Sequence, residues 1–161
     1  MKTVSIISII YGVLGFLWAA LILVAIGIQK TMIENIPFPE EVLSFVDIPL
    51  MLETLHGIMS VVIPFVLLIG IIYIISGILG LTERPQAYTF GMLAAVFNIL
   101  WYVAYIVILQ VELIPLFNFD EIFPPYFFNM LFLLGSIVNA VFYCVYPVFL
   151  IIWLSQWRRR S

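Results

Sequence analysis

The chain has 161 residues, of which 65% are hydrophobic and 9% are charged. Soluble domains are about 45–50% apolar and about 25% charged, so this composition excludes a soluble enzyme. The net charge is −3, and a chain with this balance is not expected to bind nucleic acid. Because Cys144 is the one cysteine, a disulfide bond within the chain is excluded.

The charged residues are distributed so unevenly that long apolar tracts separate them. About 20 apolar residues cross the hydrocarbon core of a bilayer. The sequence therefore predicts an all-α integral membrane protein, a bundle of four transmembrane helices in a single membrane domain. A signal peptide is the alternative for the first tract, whose apolar stretch exceeds the usual 7–15 residues. The predicted spans are residues 4–28, 50–81, 88–111 and 126–154.

Basic residues indicate the orientation of the spans, because Lys and Arg stay on the cytoplasmic side of short loops. All of them except Lys30 lie at the two termini or at Arg84, between the second and third spans. We therefore expect both termini to be inside, in a cytoplasmic or inner membrane. In the first loop, a proline and two acidic residues precede an apolar run over 37–46, which predicts a short helix at the outer membrane surface.

The chain is similar to itself at an offset of 83 residues. This offset places Pro64 on Pro147 and Trp18 on Trp101. We interpret the similarity as an internal repeat of two tandem hairpins with the same orientation in the membrane. The predicted hairpins are residues 1–83 and 84–161.

Pro64 and Pro147 lie inside the second and fourth predicted spans. Proline has no backbone N–H, so each one frees the carbonyl four residues earlier, at Ser60 and at Tyr143. We expect a kink in each helix. Such kinks can mark a transport pathway or gate, but membrane helices without a pathway also tolerate proline.

The third and fourth spans share the polar motif Asn-x-x-aromatic-Tyr-x-x-Tyr, whose spacing places the polar residues on one helix face. Equal depths in antiparallel spans predict two hydrogen bonds, Asn98 with Tyr143 and Asn139 with Tyr102. The alternative is a small polar cavity for a substrate. The predicted cluster consists of Asn98, Tyr102, Tyr105, Asn139, Tyr143 and Tyr146.

Glu53 and His56 share a helix face at the outer edge of the second span. A Glu-x-x-His pair is half of a di-iron carboxylate site, but the chain holds a single histidine. We therefore predict no metal and no cofactor here, and treat the pair as a candidate proton or ligand site. The sequence contains no catalytic motif, and no charged residue lies deep in a span, which argues against a proton-coupled exporter.

Residues 70–79, Gly-Ile-Ile-Tyr-Ile-Ile-Ser-Gly-Ile-Leu, precede Thr82-Glu83-Arg84. This segment resembles the second span of the membrane-spanning four-domain A family of tetraspan proteins. The resemblance covers one helix of the four and implies no functional residue. It implies a non-enzymatic four-span protein that forms oligomers and modulates signalling or ion flux.

The leading prediction is a non-enzymatic structural or accessory subunit, in contact with membrane lipids and with copies of itself or other membrane subunits. Small residues spaced four apart, such as Ser8 and Gly12, favour the close packing of helices that this role needs. The alternative is a small transporter or channel with a path between the kinked second and fourth spans. A membrane enzyme using Glu53 and His56 is the third interpretation.

Overall fold

The computed structural model describes residues 2–35, 47–116 and 125–158. These residues form four long helices and no strand. The predicted surface helix over 37–46 lies outside the described residues. The helices are α1 (Lys2–Asn35), α2 (Ile48–Leu81), α3 (Gln86–Ile108) and α4 (Pro125–Arg158), and α3 continues as a π-helical turn (Leu109–Leu113) and a 3-10 turn (Ile114–Leu116).

Three of the helices are long and apolar enough to cross a membrane, and α4 becomes the fourth if its two bent segments count as one span. α1, α2 and α4 have 34 residues each. At 1.5 Å per residue they are about 50 Å long and exceed a hydrocarbon core of about 30 Å. The helices are therefore longer than the predicted spans. For example, the first predicted span ends at residue 28, but α1 continues to Asn35. The difference arises because hydropathy indicates where a helix crosses the membrane and not where the helix ends.

The turn between α2 and α3 is fixed by backbone hydrogen bonds. The N–H of Arg84 donates to the Leu79 carbonyl at 2.9 Å, and that of Glu83 donates to the Gly80 carbonyl at 3.3 Å. Glu83 has a φ of 56°, so this helix end is a Schellman motif with a left-handed residue. At the other end of α2, the Asp47 side chain caps the helix by accepting a hydrogen bond from the Leu50 N–H at 3.1 Å.

α1 and α2 pack against each other through glycine. A Cβ atom on Gly12 would lie 2.6 Å from the carbonyl oxygen of Gly70, and one on Gly77 would lie 2.6 Å from the carbonyl oxygen of Ser5. Any other residue would clash at these positions. Membrane helices typically associate through such close contacts of small residues. Lipid tails are as apolar as the side chains, so the hydrophobic effect does not favour helix association in a membrane.

α4 bends by 41° between its segments Asn129–Val141 and Tyr143–Trp157. The bend lies about one turn before Pro147, where an internal proline is expected to produce it. α2 contains Pro64 but runs as one helix through it. Antiparallel packing of α1 on α2, α2 on α3 and α3 on α4 places both ends of the described chain beside the α2–α3 turn.

Candidate functional site

Buried polar side chains join the helices near the middle of the bundle. Asn98 of α3 donates through Nδ2 to the Tyr11 hydroxyl of α1 at 3.2 Å, and its Nδ2 lies 3.5 Å from the Tyr73 hydroxyl of α2. The Tyr11 hydroxyl donates in turn to the backbone carbonyl of Tyr143 in α4, at 3.0 Å. Since hydrocarbon offers these groups no hydrogen-bond partner, the network ties four helices to one another.

The Tyr143 carbonyl is available to Tyr11 because residue 147 is a proline. In a regular helix the N–H of residue 147 would bond to this carbonyl, and proline has none. The Tyr11 hydroxyl takes the place of that missing donor. Next to it, the Tyr146 hydroxyl and the Ser8 hydroxyl lie 2.6 Å apart. Pro147 is therefore linked both to the bend of α4 and to the contact of α4 with α1, because it frees the carbonyl to which Tyr11 donates.

Three tyrosine rings fill the bundle at this level. Tyr73 is fully buried, and the Tyr11 ring meets it edge-on, with the ring centroids 5.0 Å apart. The centroid of Tyr146 lies 4.8 Å from that of Tyr11. Together with the buried Leu150, these rings form a tightly packed layer in the half of the bundle nearer the chain ends.

The predicted pairing of asparagine and tyrosine between α3 and α4 is wrong. Asn98 bonds to α1 and α2 instead of Tyr143, and Tyr102 donates to the backbone carbonyl of Ser136 at 2.9 Å instead of pairing with Asn139. The rings of Tyr102 and Tyr143 do meet and stack, with centroids 5.4 Å apart. Helical rise gives the depth of a residue in the bundle, but the rotation of each helix decides which neighbour its side chain faces.

A cavity of about 620 Å³ lies beside this network, near the middle of the bundle. All four helices contribute to its wall. Of the predicted cluster, only Tyr146 is not on the wall; Tyr102, Tyr105 and Tyr143 are, as are both asparagines. Sequence reasoning missed Tyr11, Trp18 and Tyr73, because single tyrosines and a tryptophan in apolar tracts resemble ordinary bundle residues.

Glu53 and His56 do not belong to the wall of this cavity. Glu53 is exposed and His56 is half-buried, and the His56 Nε2 has no hydrogen-bond partner in the described part of the chain. No group of three His, Cys, Asp or Glu residues that would hold a metal ion occurs in the described residues. The geometry therefore assigns no chemistry to this pair.

No family model matches the chain, and neither the curated proteins nor the solved structures provide a match. The resemblance of residues 70–79 to the membrane-spanning four-domain A family stays a prediction. Function is therefore inferred from the polar network and the cavity.

Proposed function

We propose that the chain is a non-enzymatic four-span membrane protein that acts as a structural or accessory subunit of a homo-oligomer or a larger membrane complex. The main support is that the buried polar groups form hydrogen bonds between helices. The donors of Asn98, Tyr11 and Tyr102 all bond to groups on other helices. Hydrogen bonds of this kind hold a bundle together and are not available for catalysis.

The outer surface of the bundle also supports this proposal. Large apolar side chains are exposed on several helices, among them Leu21, Leu100 and Ile137, each at least 61% exposed. A surface of this extent needs lipid or another protein to cover it. In this proposal lipids and partner subunits share the outer faces, while the polar network holds the four helices together.

The test is native mass spectrometry of the full chain, gently solubilised from its own membrane. We expect the protein to leave the membrane with defined stoichiometry, either as a homo-oligomer or with other membrane subunits. Repeating the measurement after a harsher detergent shows which partners are specific. A protein that is monomeric and free of other subunits under the gentlest conditions contradicts the proposal.

A small transporter is the second candidate function, and the cavity is the observation that favours it. The cavity touches both α2 and α4, the helices that carry the inner prolines. However, packed side chains lie on both sides of the cavity along the bundle, around Tyr73 and Leu150 and around Ile58 and Leu109. A path across the membrane would therefore require these side chains to move.

Substitution of the two prolines separates these candidates. Pro64→Ala and Pro147→Ala should each abolish substrate flux if the helix kinks form a gate. In a structural subunit, the same changes should alter stability and leave complex formation intact. Flux across vesicles containing the purified protein, measured together with its unfolding in SDS, gives both readouts from one preparation.

A further inference from the structure

Four polar groups on the cavity wall form no hydrogen bond with any described residue. They are the hydroxyls of Tyr105 and Tyr143, the side-chain oxygen of Asn98 and the side-chain amide of Asn139. Nearby polar groups of the same bundle are paired, as in the bond from Tyr11 to α4. Polar groups within a membrane bundle normally find partners inside it. The four groups are thus ready to bond to a ligand in the cavity.

The remainder of the wall is uncharged and mostly apolar. None of the described residues that line the cavity carries a charge. The indole rings of Trp18 and Trp101 lie on the wall, and Phe65 stacks on Trp101 with ring centroids 4.1 Å apart and an angle of 10° between the rings. A charged molecule would find no counter-ion on this wall, which disfavours its binding in the membrane interior.

The cavity is partly open, and the exposed residues on its wall indicate where. Leu17 is 56% exposed and Trp18 is 50% exposed, and Asn139 on α4 is exposed as well. α1 and α4 meet through the Ser8–Tyr146 and Tyr11–Tyr143 hydrogen bonds, and Tyr11 and Tyr143 stand at the edge of the cavity nearer the chain ends. The opening therefore faces sideways between α1 and α4, toward the lipid.

We propose that this cavity binds an uncharged lipid that carries a hydroxyl or carbonyl group and enters from the bilayer between α1 and α4. The oxygen of the ligand accepts hydrogen bonds from the hydroxyls of Tyr105 and Tyr143, and a ligand hydroxyl can also donate to the side-chain oxygen of Asn98. The apolar part of the ligand lies against Trp18 and Trp101. A volume of about 620 Å³ fits one such molecule, because ligand pockets of about 300–1,000 Å³ hold a drug-sized ligand. The inference rests on the membrane embedding in the proposed function but not on the subunit partners.

Photolabelling with a matched pair of probes tests the chemical class of the ligand. The full chain in phosphatidylcholine nanodiscs is irradiated with a long-chain alcohol bearing a diazirine, or with an alkyltrimethylammonium probe of the same chain length. We expect the alcohol to label peptides containing residues 11–22 and 98–105, and unlabelled alcohol to compete. The cationic probe should label only the outer faces. Equal labelling of the cavity peptides by both probes overturns the proposal.

Removal of single hydroxyl groups tests the binding mode. Tyr105→Phe and Tyr143→Phe should each weaken binding of the alcohol about five-fold, the effect of losing one hydrogen bond of about 1 kcal/mol. Neither should change the stability of the bundle, since these hydroxyls have no partner in the described part of the protein. Tyr146→Phe is the control: it removes the bond to Ser8 and should lower stability without changing affinity. Unchanged affinity in both cavity variants contradicts the proposed contacts.

Blocking the opening tests the route of entry. Leu17→Trp adds bulk at the mouth and should reduce labelling at least ten-fold. Leu100→Trp is the matched control, because Leu100 occupies the equivalent position in the predicted repeat and is 62% exposed but is not on the cavity wall. Equal labelling of the two variants overturns entry between α1 and α4.

Lipid extraction identifies the source of the ligand. Protein purified from its own membrane should carry an uncharged hydroxyl- or carbonyl-bearing lipid, which mass spectrometry of the extract would detect. The proposal that the ligand comes from the bilayer is contradicted if the purified protein carries no such lipid. It is also contradicted if the protein binds the alcohol only when the alcohol is added from the aqueous phase. Neither result bears on the proposed role as a subunit, which native mass spectrometry tests. The two proposals can therefore fail independently of each other.

Discussion

The Tyr11 hydroxyl serves two partners at once. It accepts a hydrogen bond from Asn98 at 3.2 Å and donates one to the Tyr143 carbonyl at 3.0 Å. The sequence predicts half of this arrangement, because Pro147 must free a carbonyl at Tyr143. It does not predict which side chain supplies the donor, since Tyr11 lies more than a hundred residues away and only tertiary packing brings it near.

Tyr11→Phe should therefore destabilise the bundle by about 1–3 kcal/mol, because it leaves the Tyr143 carbonyl without its donor and leaves Asn98 with only the 3.5 Å contact to Tyr73. Tyr105→Phe is the control, since the Tyr105 hydroxyl forms no hydrogen bond with the described residues, and should cost less than about 0.5 kcal/mol. Unfolding in SDS, followed by circular dichroism, measures both. A Tyr11 variant as stable as the control would show that the network contributes nothing.

Glu83 is an exposed residue in a left-handed conformation, with a φ of 56°. Its backbone geometry is that of the residue after a helix, where glycine is preferred because it has no Cβ. Glu83→Gly should raise stability by up to about 1 kcal/mol. The same unfolding assay checks this, with Thr82→Gly as a control that should not stabilise. A loss of stability in the Glu83 variant would contradict the strained-turn interpretation.

At the scale of the helices, glycine decides how closely α1 and α2 approach. The sequence shows where small residues stand, including Gly12 and Gly77, but not which of them meet a backbone. Gly27 and Gly57 are equally plausible as packing residues from sequence alone. In the structure, a Cβ on either of these would meet no atom within 4 Å, because both glycines lie on the exposed surface of the bundle.

Gly12→Ala should lower stability by about 1–3 kcal/mol, because its Cβ would lie 2.6 Å from the Gly70 carbonyl oxygen and push the two helices apart. Gly27→Ala lies on the same helix and should be neutral or slightly stabilising, since alanine favours the helical state. The comparison uses thermal unfolding in detergent. Equal effects of the two substitutions would mean that the change reflects helix propensity and not packing.

At the scale of the whole molecule, a packed layer closes the bundle at the end where the chain ends lie, and a cavity follows it in the middle of the bundle. Tyr73, Leu150 and their neighbours form this layer, and the cavity borders it at Tyr73 and continues along α1 as far as Ile22. Lys2 and Arg84 lie at the closed end, because α1 begins there and α2 turns into α3 there. The distribution of basic residues thus predicts that the closed end is cytoplasmic.

Cysteine labelling of intact cells checks this orientation. In a Cys144→Ser background, Glu53→Cys should react with a membrane-impermeant thiol reagent, because Glu53 is exposed at the end expected to lie outside. Arg84→Cys, at the α2–α3 turn, should react only after the cells are lysed. The reverse pattern would place both chain ends outside.

The sequence by itself determined that this protein is helical and that most of it is apolar enough to lie in a membrane, because hydropathy and the spacing of charges need no knowledge of neighbours. It also marked Pro64 and Pro147 as places for a bend, of which the structure bends α4 near Pro147, and Asn98 as a polar residue in need of partners. Tertiary structure alone decided that Asn98 bonds to Tyr11, that Gly12 meets Gly70 and that α1 and α4 leave a cavity. These features depend on how each helix is rotated and tilted against the others, and helix rotation follows from the packing of all four together.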